Sequence, residues 1–258
     1  MTSDESKTNP VLNFFSLSDE YERKARFLPA VLTVLVALPV AMAYGIEMMQ
    51  FITLLTTGVG IGAVLAVGIS HLASALGNRL QKKLWPDWPY DGPTNQWLNP
   101  ENDARSQQQK KQWYRMIKSL TGLDIARLAK SEDKAEVRLA INDAVSKVRS
   151  RLWKHDGNGT DLVRLRNIDY GYARNLTGLR VIWIPTAILS FAGCWVAWWR
   201  FDGHILWAVL ATVLLCILPV VGIFVLPGYV RQKADYYAEA FFAAVERINL
   251  EEQTRKSG

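Results

Sequence analysis

Residues 27–76 read FLPAVLTVLVALPVAMAYGIEMMQFITLLTTGVGIGAVLAVGISHLASAL: fifty residues with one carboxylate, one histidine and no lysine or arginine. A bilayer core of about 30 Å is crossed by about 20 apolar residues in a helix. The stretch is long enough for two crossings, with a break at YGIE (44–47). It reads as a transmembrane hairpin, spans 1 and 2. The pattern recurs at 181–226, where two apolar runs flank the turn RFDGH (200–204). These are spans 3 and 4.

The expected fold is therefore all-α: four membrane spans in two hairpins, with a helical cytosolic domain between them. The segments are a cytosolic N-terminal stretch (1–26), a first hairpin (27–76), the inserted domain (77–180), a second hairpin (181–228) and a cytosolic amphipathic helix (229–258). A mean hydropathy of +0.02 averages over these very different segments.

Charge sets the expected orientation. Residues 77–180 hold 20 Lys and Arg against 12 Asp and Glu, whereas the only base in the two hairpin turns is Arg200. Arg23, Lys24, Arg26, Arg79, Lys82, Lys83, Arg174, Arg180, Arg231 and Lys233 all flank span ends on the same side. The positive-inside rule then puts both termini and the central domain in the cytosol. No basic n-region precedes the late, long apolar run, so a cleaved signal peptide is not expected.

Span 2 carries Gly58 and Gly62 as a GxxxG, a spacing that lets helices approach closely in lipid. It suits packing within one subunit, packing between subunits, or a small-residue conduit. Ser70, His71 and Ser74 put polar groups on its cytosolic third. They read either as a lining near a gate or as a neutral His bonded to a neighbouring helix. Glu47, beside the outer turn, marks the mouth of an assembly or only the water there. Cys194 and Cys216 lie in spans without metal or redox spacing and read as small apolar packing residues.

In the central segment, LWPDWPYDGP (84–93) has too much proline for regular helix. Asn99-Pro100 has the form of a helix start, and that helix is expected to run to about Thr121, stopping at Gly122. Ser131 is expected to start another, with the apolar stripe Val137, Ile141, Val145, Val148 and Leu152. The tail repeats the pattern with Ala234, Tyr237, Ala238, Phe241, Val245 and Ile248, and is expected to dock on cytosolic helices.

Catalytic strings are missing: there is no GxSxG, Walker A or HExxH, and the three His are scattered. No cofactor or metal is expected, and an enzyme is disfavoured. Lys110, Lys111, Arg115 and Lys118 lie together with Trp113 on one expected helix. Cations beside an aromatic suit a nucleotide or oligonucleotide, with Trp113 as stacking partner. The bland alternative is solvated or lipid-facing charge.

YERKARFLPA (21–30), Leu84-Trp85 and Gly92-Pro93-Thr94 together resemble the Hailong-type membrane effectors of bacterial anti-phage operons. Asp87 to Tyr90 stand where that pattern is Gly-rich. The resemblance covers about residues 20–95. It implies an oligomeric channel in the bacterial inner membrane, controlled by a nucleotide or oligonucleotide signal at its cytosolic domain. It also implies a nucleotidyltransferase-type partner from the same operon. The competing reading is a non-conducting membrane scaffold that anchors a cytosolic partner.

Overall fold

A computed structural model describes residues 20–46, 61–154 and 160–257. The described chain is all-helical, with no strand among the described residues. Among the described residues, three helices are long and apolar enough to cross a membrane: Glu22–Ala43, Arg180–Arg200 and Ile205–Arg255. The chain divides into two compact units. One holds residues up to Leu80 and 171–229; the other holds 81–170 and 230 onward.

In the first unit, a wide π turn at Glu22–Phe27 opens the first long helix. It continues as α1 (Leu28–Leu35) and α2 (Leu38–Ala43), with a break at Val36 and Ala37 where Pro39 lies in the first turn of α2. After α3 (Ile61–Leu84), the unit resumes with the end of α8 (Thr160–Gly178) and the hairpin α9 (Arg180–Arg200) and α10 (Ile205–Val220). A second wide turn, Val221–Val225, leads into α11 (Leu226–Ser257).

Small residues bring the spans together. Ala208 and Ala211 of α10 are buried against Cys194 of α9, beside Val40 and Ala43 of α2. Nearer the other end, Trp183 and Ala187 pack with Val36, Ala73 and Leu179. Large apolar side chains such as Leu189, Val209, Ile217 and Phe224 point outward and are exposed. Apolar groups on the outside suit hydrocarbon as their solvent. At the turn after α9, the exposed aromatics Trp198, Trp199, Phe201 and Tyr44 cluster. Trp and Tyr concentrate in this way at membrane–water interfaces.

The second unit has its own core. Stripes from α5 (Gln107–Thr121), α7 (Lys134–Lys154) and α11 meet there, with Trp97 and Leu98 beneath α5 and Ile125 from α6 (Ile125–Leu128). The tail helix buries Tyr237, Phe241, Phe242, Val245 and Ile248 in that core, so it docks on helices of its own chain. Residues 84–93 form turns leading to the short α4 (Pro93–Gln96). Trp85 and Trp88 gather there on Tyr170.

Two expected helix starts move. α5 begins at Gln107 because Asn99 and Asn102 spend their side chains on local turns, accepting from the amides of Glu101 and Ala104. Ser106 is the true cap, accepting from Gln109 N at 3.2 Å. α7 begins at Lys134, capped by Asp133, while Ser131 accepts from Asp133 N one step earlier.

Candidate functional site

α5 carries the expected ligand residues, and its two faces have different fates. Lys110, Trp113, Tyr114, Ile117 and Leu120 form the buried stripe. Trp113 stacks on Phe242 at 4.0 Å between centroids and on Trp97 at 6.1 Å. Its indole N–H donates to Glu246 at 3.1 Å. Lys110 is fully buried, and its ammonium donates to the carbonyls of Asn99, at 2.8 Å, and of Asn102. Burial pushes the Lys110 pKa down, and Asp103 partly opposes this.

Lys110 and Trp113 therefore do not share the exposed face expected of them: Lys110 is fully buried, and Trp113 is a buried ring that only edges the cavity described below. Lys110 ties down the 99–102 turn, and Trp113 is a core ring. A lysine reaches such a place because its apolar stem is at home in a core while the head finds carbonyls.

Lys111, Arg115 and Lys118 share the opposite, exposed face of α5. Lys118 pairs with Asp124. The hydrogen bond from Lys118, followed by that from the Arg127 amide, holds the Asp124 carboxyl below its usual range. Lys111 and Arg115 have no carboxylate partner among the described residues, and α5 contains no acid at all. Gly122, at φ 77°, ends the helix through its amide to Lys118 O.

Two clefts open on this unit. A cavity of about 310 Å³ is lined by Trp97, Arg105, Gln109, Glu239, Ala243 and Glu246, among others. The Arg105 guanidinium lies 3.7 Å over the Trp97 ring and 3.5 Å from Glu239. A wider cleft, about 750 Å³, is lined by Tyr90, Glu101, Ser131, Glu132, Lys134 and Arg138, among others. There Arg138 sits over Tyr90 and pairs with Asp87 at 2.7 Å, and Lys134 pairs with Glu101 at 2.9 Å. With Glu132 added, the lining carries two acids and two bases and has no cationic surplus for a polyanion. No group of three potential metal ligands occurs among the described residues.

In the membrane unit, the inward face of α3 is Ala73, Gly77 and Leu80. Gly68, His71, Leu72 and Ala75 lie exposed on its other side, and Ser70 and Ser74 are half-buried between. Of the expected gate and packing residues, Glu47 and Gly58 lie outside the described residues, and Gly62 is described only as part of the α3 backbone.

The same unit holds a polar clamp that the sequence gives no direct sign of. Pro29 has no N–H, so Ala25 O loses the donor that α geometry would supply four residues on. The buried Asn175 amide donates to it instead, at 2.6 Å. In the second wide turn, Leu226 N bonds Val221 O, so the next donor in that register would be Pro227, which has none. Gly222 O is met by the Arg180 guanidinium at 2.9 Å. Both caps come from the 175–180 junction. A Cβ on Gly178 would meet Gly77 N at 2.6 Å, so α3 and α8 touch backbone to backbone there.

The signals that point to this clamp are the two prolines, each just after a wide turn. What lies outside sequence reasoning is which distant side chain answers them. No family model, curated protein or solved structure matches this chain.

Proposed function

We propose that the protein is an oligomeric four-span effector of the bacterial inner membrane. In this reading both termini and the second unit are cytosolic, and copies assemble around an ion-permeable path. A polyanion, a nucleotide or oligonucleotide, controls it from the exposed face of α5. The setting is anti-phage defence, with a nucleotidyltransferase-type partner making the signal. Span 2, the second crossing of the first hairpin, is the fourth span in this reading.

The observation that carries the reading is the outward face of α3. An ionisable side chain in a membrane span faces a bundle interior or water. His71 faces away from its own chain's described core, beside Gly68 and Ala75, which are small enough for a close neighbour. A second copy or an aqueous path between copies satisfies it. Lys111 and Arg115 support the ligand part, since cations without acidic partners suit phosphates.

The test is ion flux from proteoliposomes, with and without short oligonucleotides, for the parent, His71→Leu and Lys111→Glu/Arg115→Glu. His71→Leu is expected to change the basal flux. The double variant is expected to lose the response to ligand. Parent vesicles that neither leak nor respond to any nucleotide would favour the non-conducting scaffold.

A further inference from the structure

α5 is basic on the side that faces away from the C-terminal helix. At about 100° per residue, Lys111, Arg115 and Lys118 lie roughly 180–240° around the helix from Gln109, which lines the 310 Å³ cavity. The stripe and the cavity therefore open in roughly opposite directions from one helix.

The cavity side is acidic. Asp235, Glu239 and Glu246 fall within about 40° of one another on α11, a stripe roughly 16 Å long. Glu239 shares Arg105, leaving an excess of two negative charges. The basic stripe, roughly 10 Å long, has an excess of two positive charges once Lys118 is paired with Asp124. Ala243, exposed between the acids, leaves room beside them for a lysine or arginine stem.

We infer that the α5 basic stripe of one copy docks on the α11 acidic cleft of the next. This rests on the oligomeric reading above. Complementary patches on opposite sides of a subunit make a head-to-tail contact, the kind that closes into a ring. The polyanion surface and the subunit contact then share Lys111 and Arg115, so ligand and neighbour compete for the same cations. The signal acts by loosening cytosolic contacts between copies.

The experiment uses two tagged full-length chains, co-expressed, with Cys194 and Cys216 replaced by Ala. One carries Ser119→Cys and the other Ala243→Cys, so a bis-maleimide crosslink between tags is intermolecular. A strong crosslink is expected in membranes, falling with salt between about 0.05 and 0.5 M. Lys111→Glu/Arg115→Glu on the first chain should lower the yield about five- to tenfold. Adding Asp235→Lys/Glu239→Lys to the second chain should restore at least half of it.

A yield indifferent to salt and to charge reversal overturns the contact. So does reversal without restoration when both variants keep parental circular dichroism. Oligonucleotide binding is measured on the same chains. Binding lost while the charge swap fails leaves the ligand reading standing and removes this contact. A working swap with no oligonucleotide bound does the opposite.

Discussion

Replacing Gly178 with Ala tests the packing of the membrane unit. The added methyl would lie 2.6 Å from Gly77 N, 2.7 Å from Leu76 C and 2.9 Å from Gly77 Cα. These are backbone atoms, so no rotamer change relieves the overlap. Reaching ordinary contact at 3.4 Å asks α3 and α8 to part by roughly 0.8 Å. Overpacking costs about 1–3 kcal/mol, and a rigid backbone neighbour puts this case in the upper half. Alanine in a helix returns about 1 kcal/mol over glycine. The expected net loss is about 1–2 kcal/mol, or roughly 3–6 °C in Tm for a chain of this size. Gly228→Ala makes the same propensity gain with no described atom within 4 Å, and is expected to raise Tm by about 3 °C. Thermal unfolding in detergent, followed by circular dichroism, reads both. A Gly178→Ala protein as stable as the parent would refute the close approach.

Three further outcomes are expected. Trp113→Ala should cost about 3–5 kcal/mol of stability in the second unit while leaving oligonucleotide affinity of the folded protein unchanged, by filter binding, because the ring is core. Arg180→Met leaves Gly222 O without its donor and should cost about 1–3 kcal/mol in detergent unfolding, with Arg180→Lys in between. Burial pushes the Tyr114 phenol up to about 12. The folded state therefore holds its proton longer than the unfolded chain, whose tyrosine titrates near 10. That contribution is present below about pH 10 and is lost as pH rises through about 12, so urea unfolding of Tyr114→Phe should lack this alkaline slope.

The apolar runs were plain in the sequence because hydrocarbon demands length and composition and little else. The stripe from Val137 to Leu152 was equally plain, since its period is local and Ile141, Val145 and Val148 all reach the core. The start of α5 is not legible locally, because Asn99-Pro100 has the letters of a helix cap and nothing nearby says that two successive Asn turns come first. The burial of Lys110 is hidden for a related reason: it depends on a carbonyl presented by an irregular turn eleven residues away. The role of Asn175 in the fold is hidden in the sequence because its partner, Ala25 O, lies 150 residues earlier and is exposed by a proline rather than by its own side chain.

That arrangement has a mechanical consequence. A wide turn holds one surplus residue, and if it travels along a helix it twists the segment it passes like a screw. Here each wide turn is boxed in. Pro29 or Pro227 closes one end, and the side chain of Asn175 or Arg180 grips the carbonyl left bare. The surplus residue has nowhere to go. It is held where it is, so each of these long helices bends about a fixed pivot. Because Asn175 and Arg180 are five residues apart on the chain, a pull on their junction reaches both pivots together.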